Sequence, residues 1–173
     1  MAEIDKHVEA TLLVSDIDNM ERVVAASYLD KITVSPLVEG RGLFHLGSLT
    51  LDQISEEQLA ALYGSMKQAE ERGVGFDFKG DNLLYDSDKG FTIIDLGTID
   101  DMDHVGANEA LAVLVRYMTE DTLEDDLGAE HARAVARIID HIAVLARDSA
   151  AGSESFTSIQ HSREELLDYV NSS

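Results

Sequence analysis

The fold of this chain is decided by the stretch Gly75-Phe76-Asp77-Phe78-Lys79-Gly80-Asp81-Asn82-Leu83-Leu84-Tyr85, followed by Phe91-Thr92-Ile93-Ile94-Asp95-Leu96-Gly97. Residues 83–85 and 91–94 are predicted to be short strands, because apolar β-branched and aromatic residues favour a pleated backbone. The turn-forming residues 86–90 between them predict a hairpin. The hairpin therefore separates two groups of polar residues, one before it and one at its end.

These polar residues are of the types that phosphoryl transfer requires. The reaction needs a carboxylate to orient the acceptor hydroxyl, a cation near the moving phosphate, and oxygen ligands that hold Mg²⁺ against the nucleotide. Asp77 is the candidate base and Lys79 the candidate cation. Asn82 and Asp95, thirteen residues apart, are the candidate Mg²⁺ ligands. A surface hairpin with a few solvated acids is the alternative interpretation.

The same residues resemble the catalytic loop of protein kinases, H-R-D-L-K-x-x-N, and their metal-binding D-F-G motif. Gly75 and Phe76 stand where the usual His and Arg would be, and Leu96 replaces Phe. The likeness covers about residues 30–120 and is specific at these two motifs. Five motif positions carry the same residue as the kinase pattern: Asp77, Lys79, Asn82, Asp95 and Gly97.

The resemblance implies an α+β, mostly helical fold, namely a protein-kinase-like C-lobe with a truncated N-lobe. Residues 1–35 would form the reduced N-lobe from a helix and a strand, and residues 36–173 the C-lobe. The C-lobe would contain a hinge at 36–40, a catalytic loop at 75–85 and a metal-binding segment at 91–97. ATP would lie between the hinge and a purine-pocket floor, contacting Pro36, Leu37, Val38, Leu84 and Ile94.

The chain departs from the kinase pattern mainly before the hinge. Only 35 residues precede Pro36, and no glycine occurs before Gly40, so the glycine-rich loop that covers the phosphates is missing. No V-A-I-K strand is evident, and no A-P-E motif follows Asp95. Lys6 and Glu21 are the tentative substitute for the lysine–glutamate pair that holds the phosphates. An exposed lysine and a helix-surface glutamate are the alternative.

The acidic composition limits the classes of partner. The 173 residues carry a formal charge of −21, and eleven acids with one base lie between Asp95 and Glu130. Such a charge repels nucleic acid and anionic lipid and attracts cations. We therefore expect no nucleic-acid or membrane partner. The acidic segment is interpreted either as a surface that recruits a basic peptide or polycation, or as an adaptation for solubility.

The cysteine content and the length of the apolar runs indicate where in the cell the protein is found. The sequence contains no cysteine, which excludes disulfides and thiolate metal sites. No apolar run reaches membrane-spanning length, and the acidic start of the chain does not resemble a signal peptide. We expect a soluble, cytoplasmic protein, with a secreted effector as the alternative.

Hydrophobic periodicity predicts five helices. The first is capped by Ser15 and ends near Tyr28, and the second follows the capping box Ser55-Glu56-Glu57-Gln58 and stops at Gly73. The third is a buried helix near 108–119. The fourth is an amphipathic helix around Val135–Leu145, and the fifth is a short last helix capped by Ser162. Ile32–Ser35 is predicted to be a strand, and residues 8–14 either a strand or part of a helix.

The leading hypothesis is a minimal kinase-like phosphotransferase that moves the γ-phosphate of ATP to a hydroxyl, with Mg²⁺ as cofactor. Lys79 favours Ser or Thr of a protein as acceptor, because small-molecule kinases of this fold usually carry another residue there. The acidic surface also suits a cationic small molecule. The alternatives are a pseudokinase-like module that holds a basic partner, and a kinase subunit whose N-lobe is completed by another chain.

Overall fold

The fold is α+β and mostly helical, as predicted, with small antiparallel sheets. The computed structural model describes residues 3–22, 24–27, 32–78, 82–99, 104–150 and 153–172. In these ranges the α-helices are α1 (Glu3–Leu13), α2 (Ser48–Leu51), α3 (Glu56–Glu71), α4 (Ala107–Glu124), α5 (Gly128–Ala150) and α6 (Glu154–Ser172). The strands are β1 (Ala25–Ser27), β2 (Ile32–Val34), β3 (Arg41–Gly42), β4 (Val74–Phe76), β5 (Leu83–Asp86), β6 (Gly90–Ile93) and β7 (Leu96–Thr98).

The strands form three small antiparallel sheets, with the orders β1-β2, β3-β5-β6 and β4-β7. The hairpin predicted at 83–94 is confirmed as β5 and β6, which pair Leu83 with Ile93 and Tyr85 with Phe91. The rings of Tyr85 and Phe91 lie 5.0 Å apart, so a cross-strand aromatic pair fixes the register of the hairpin. The strand predicted at Ile32–Ser35 is confirmed as β2.

The chain divides into two units. The first unit comprises Met1–Leu43 and Ala61–Ala107, and the second Phe44–Ala60 and Asn108–Ser173. The predicted lobe boundary between residues 35 and 36 stays a prediction. The core of the first unit is formed by buried side chains of α3 and of the strands and loops that follow it: Leu62, Met66, Phe76, Phe78, Leu83, Phe91, Ile93 and Leu96.

In the second unit, the helix predicted near 108–119 is confirmed as part of α4, and its Leu114 and Val115 are buried. The amphipathic helix predicted around Val135 is also confirmed, as α5. Arg137 of α5 donates hydrogen bonds to the Leu51 (2.6 Å) and Ile54 (3.0 Å) carbonyl oxygens, which satisfies acceptors at the end of α2. None of the helices in the described ranges combines the length and apolar character needed to cross a membrane.

The predicted capping box is confirmed at the start of α3. The Gln58 backbone N–H donates to Ser55 Oγ over 3.2 Å, and the Ser55 backbone N–H donates to Gln58 Oε1 over 3.0 Å. The reciprocal bonds satisfy two donors that a helix start leaves unpaired. Gly73 follows the helix with a φ of 80°, a conformation that glycine adopts without strain, so the helix ends where the sequence predicted.

The helix predicted to begin at Ser15 is wrong. The Ser15 hydroxyl instead donates to the Leu12 carbonyl oxygen at the end of α1, so it closes that helix. Asn19 then takes a left-handed conformation with a φ of 64°, and its carbonyl oxygen accepts a hydrogen bond from the Ile93 N–H over 2.7 Å. Pairing with β6 outweighs the helical spacing of the apolar residues. The predicted end of this helix, Tyr28, lies outside the described residues.

The start predicted for the last helix is also wrong. Ser162 is buried in the middle of α6, and the cap is Ser153, whose Oγ accepts a hydrogen bond from the Phe156 N–H over 3.2 Å. The buried residues Ile159 and Leu166 lie seven positions apart on one helical face. The buried face extends to both sides of Ser162, so the helix runs through this serine and does not begin there.

Candidate functional site

The pairing of β4 with β7 places Asp77 and Asp95 next to each other on neighbouring chain segments. In the antiparallel pair of β4 and β7, Phe76 lies opposite Leu96 and Gly75 opposite Gly97. Asp77 directly follows Phe76, and Asp95 directly precedes Leu96. Continuing the register by one position therefore sets the two acids opposite each other.

Asn82 links the two acids by hydrogen bonds. Its Nδ2 donates to the Asp77 carbonyl oxygen over 2.9 Å and, more weakly, to Asp95 Oδ2 over 3.5 Å. The Asn82 carbonyl oxygen accepts a bond from the Ile94 N–H over 2.9 Å, which ties the start of the hairpin to its end. The structure thus brings together three of the predicted site residues. Lys79, the fourth, lies outside the described residues.

Asp95 has an unusual backbone conformation, with a φ of 57°. This left-handed region disfavours most L-residues, and aspartate and asparagine are among those that tolerate it. The side chain of Asp95 is 61% exposed, so its carboxylate is accessible to a ligand while its backbone is fixed.

Glu21 reaches the Asp95 backbone from a distant part of the sequence. Its Oε2 accepts a hydrogen bond from the Asp95 N–H over 3.2 Å, and its side chain is only 13% exposed. The Glu21 N–H donates to the Ile93 carbonyl oxygen over 2.8 Å, next to a parallel bridge between Met20 and Ile93. Glu21, predicted as part of a phosphate-binding pair, therefore contacts Asp95 of the predicted metal-binding segment directly.

His7 of α1 lies between Glu21 and the predicted metal-binding segment. Its Nδ1 is 3.1 Å from the Leu96 carbonyl oxygen and 3.9 Å from Asp95 Oδ1, and its Nε2 is 3.8 Å from Glu21 Oε2. The predicted pairing of Lys6 with Glu21 stays a prediction. The sequence did not single out His7, because its partners lie far along the chain.

His104 is a second contact that sequence reasoning missed. Its Nε2 lies 3.2 Å from the Asp95 carbonyl oxygen, and its ring covers Gly97 so closely that a Cβ at Gly97 would be 2.6 Å from ring atoms. A Cβ at Gly75 would be 3.0 Å from the His104 Cβ. Glycines inside strands often mark such close approaches, and this pair was the signal available in the sequence.

The predicted nucleotide-binding residues lie in the first unit as well. Pro36 and Leu37 are exposed, Leu37 to 90%, while Val38, Leu84 and Ile94 are half-buried. Gly42 of β3 pairs with Leu84, so the predicted hinge runs directly into a strand beside the predicted pocket floor. Gly40 has a φ of 137°, and a Cβ there would lie 3.1 Å from the Tyr85 carbonyl oxygen, so glycine is required at this approach.

The donor set of the site fits Mg²⁺. The Asn82 amide nitrogen is engaged by the Asp77 carbonyl oxygen, which leaves the amide oxygen as the atom for a cation. Within the described residues, no group of three or more His, Cys, Asp or Glu side chains could enclose a metal ion. Mg²⁺ commonly takes one or two protein carboxylates and completes its shell with phosphates and water. Asn82 and Asp95 suit that mode of binding.

Comparisons of the chain with models of known protein families and with curated proteins gave no match.

Proposed function

We propose that this chain is a minimal kinase-like phosphotransferase, with a kinase-like C-lobe and a truncated N-lobe, that transfers the γ-phosphate of ATP to a hydroxyl in a Mg²⁺-dependent reaction. One observation carries the proposal: Asn82 bonds both the Asp77 backbone and the Asp95 carboxylate. Chance matches to two short motifs give no reason for their polar residues to meet.

Each of these residues has a role in the proposed reaction. Asn82, through its amide oxygen, and Asp95, through its exposed carboxylate, would hold the metal ion. When bound, Mg²⁺ neutralises charge on the nucleotide phosphates. Asp77, which is half-buried beside Asn82, would orient the acceptor hydroxyl and accept its proton. Lys79 supports a Ser or Thr hydroxyl of a protein as acceptor, and the charge of −21 supports a cationic one.

Contacts that residues of the predicted N-lobe make with Asp95 and Leu96 also support the proposal. Glu21 bonds the Asp95 N–H, and His7 contacts the Leu96 carbonyl oxygen. The short segment before the predicted hinge therefore contacts Asp95, the proposed metal ligand, and supports its position. A chain with few residues before the hinge can still hold its metal ligand in place.

A thermal-shift measurement tests the proposal. ATP in the presence of Mg²⁺ should raise the melting temperature, because a ligand that binds only the folded state stabilises it by mass action. At a ligand concentration 100 times Kd the stabilisation is about 2.7 kcal/mol. ATP with EDTA should give a clearly smaller shift, since the phosphates then lack their link to Asp95.

Mg²⁺ alone and Mg²⁺ with adenosine are the matched controls, because adenosine lacks the phosphates that the metal would bridge. A folded chain whose melting temperature does not respond to ATP, with or without Mg²⁺, contradicts a stand-alone phosphotransferase. The result would then favour a kinase subunit completed by another chain.

A second candidate function rests on the acidic surface of the second unit. Six acids around the end of α4 and the start of α5 are exposed: Glu120, Asp121, Glu124, Asp125, Asp126 and Glu130. Arg116, one helical turn before these acids, has its Nε 3.8 Å from Glu120 Oε1, and both side chains are half exposed or more. Such a surface suits a pseudokinase-like module that holds a basic peptide.

Salt dependence of association tests this candidate. If the six acids steer a basic peptide to the chain, the association rate should fall steeply as salt is added, because exposed charges are screened beyond about 8 Å at physiological ionic strength. Stopped-flow mixing with a labelled lysine-rich peptide gives the rate, and an uncharged peptide of equal length is the control. A rate that does not change with salt would favour solubility as the role of the acidic surface.

A further inference from the structure

The carboxylate of Asp95 faces Asn82 while its backbone holds a disfavoured conformation. With a φ of 57°, Asp95 is in the left-handed region between β6 and β7. Relaxing this residue to a common conformation would turn its side chain away from Asn82, to which Oδ2 is now 3.5 Å distant. Strained residues of this kind persist only where their surroundings hold them.

Two side chains hold Asp95, one on each side of its α-carbon. Glu21 Oε2 accepts a hydrogen bond from the Asp95 N–H over 3.2 Å, and His104 Nε2 lies 3.2 Å from the Asp95 carbonyl oxygen. Neither residue belongs to the hairpin. Glu21 follows the loop after α1, and His104 precedes α4. The two contacts engage both of the polar groups in the Asp95 backbone.

The fit of His104 depends on two glycines that face each other across β4 and β7. Gly75 pairs with Gly97, and the histidine lies against both. At Gly97 a Cβ would be 2.6 Å from the imidazole ring, and at Gly75 it would be 3.0 Å from the His104 Cβ. Gly75 is the position at which the H-R-D motif has its histidine. His104 occupies the space over that glycine.

The hydrogen bond also selects a tautomer of His104. The Asp95 carbonyl oxygen can only accept, so Nε2 must carry the hydrogen. Nδ1 is buried and has no hydrogen-bond partner among the residues that the structure describes. A hydrogen on Nδ1 would be unpaired there, so both ring nitrogens favour the same Nε2–H form.

We propose that His104 and Glu21 form a backbone clamp that holds Asp95 in its left-handed conformation and directs its carboxylate toward Asn82. His104 is thereby a positioning residue of the metal site, a role that rests on the proposed function. Residues that orient metal ligands without touching the metal typically contribute 10- to 100-fold in metal affinity.

A double-mutant cycle with Gly97→Ala and His104→Ala tests the clamp. His104→Ala should weaken Mg²⁺-dependent ATP binding by about tenfold or more, and leave binding in EDTA nearly unchanged. Gly97→Ala should have a similar effect, because the new Cβ displaces the ring. In the His104→Ala background Gly97→Ala should cost nothing more, since the ring is gone. Isothermal titration calorimetry gives the four affinities.

Two further variants separate positioning from general stability. His104→Gln keeps a side-chain N–H and should recover most of the affinity. His161→Ala removes a histidine whose side chain is 71% exposed on α6 and should behave like wild type. His104→Ala binding that matches wild type would overturn the proposal. Equal effects of Gly97→Ala in both backgrounds would also overturn it.

NMR spectroscopy tests the contact between His104 and the Asp95 backbone in the absence of nucleotide. Long-range ¹H–¹⁵N correlations should show the Nε2–H tautomer of His104, and His104→Ala should move the Asp95 amide resonance. The Nδ1–H tautomer, or an unmoved Asp95 amide, would overturn the clamp. If both NMR results are obtained but the wild type binds no Mg²⁺–ATP, the backbone clamp is supported. The proposed function and the metal-positioning role of His104 would then be wrong.

Discussion

Asp77→Asn should slow phosphoryl transfer by about 10²–10⁴-fold, the usual contribution of a positioned general base, while nucleotide affinity stays nearly unchanged. Asparagine keeps the shape of the side chain and the backbone carbonyl oxygen that accepts the Asn82 hydrogen bond, so the site should remain assembled. Single-turnover transfer from ATP to a mixed pool of basic peptides and polyamines measures the rate, and calorimetry measures the affinity.

The matched control for Asp77→Asn is Asp88→Asn, the same substitution at an exposed residue of the β5–β6 turn. This variant should transfer phosphate like wild type. If Asp77→Asn transfers phosphate at the wild-type rate in an otherwise active protein, Asp77 is not the base. A loss of nucleotide binding equal to the loss of rate would instead point to a disordered site.

Asp95→Asn should abolish most of the Mg²⁺ dependence of nucleotide binding. Its carboxylate is the only negative charge in the proposed ligand pair, and loss of a direct ligand should cost at least as much as the roughly 100-fold upper range for outer-shell partners. Asparagine tolerates the left-handed conformation, and the backbone N–H can still donate to Glu21. The fold should therefore survive.

Calorimetric titrations of ATP with Mg²⁺ and with EDTA measure this prediction, and thermal melting reports the fold. The wild type should differ between the two conditions, and Asp95→Asn should bind ATP with nearly the same weak affinity in both. Asp88→Asn again serves as the control for loss of one negative charge. A variant that keeps the full Mg²⁺ dependence would remove Asp95 from the metal site.

The sequence predicted the parts of the fold that depend on local signals. Strand-forming residues flank the turn between β5 and β6, and Ser55 and Gln58 form a reciprocal cap within one helical turn. The juxtaposition of Asp77 and Asp95 was expected from the kinase resemblance alone. The register of β4 with β7 gives it a physical cause, and no local pattern contains that register.

The error at Ser15 and the omissions at the site share one physical origin, which is long-range pairing. Ser15 has the residue type and spacing of a helix start, but the segment after it pairs with β6, more than 70 residues later. Glu21 and His7 are related to Asp95 only through that pairing. The contact of His104 with Asp95 could not be predicted, because the partners of His104 are a backbone oxygen and two glycines, none of which forms a recognisable motif with a histidine.

The pairing of α1 with distant parts of the chain has a consequence for synthesis. His7 and its partner Leu96 are 89 residues apart, which a ribosome adding roughly 5–20 residues per second covers in roughly 4–18 s. Val8 and Ala10 of α1, both buried in the finished fold, belong to a helix that packs against β7 and lacks that strand throughout this time. The helix whose His7 contacts Asp95 and Leu96 is thus synthesised well before the strand against which it packs, and its apolar side chains lack that partner meanwhile.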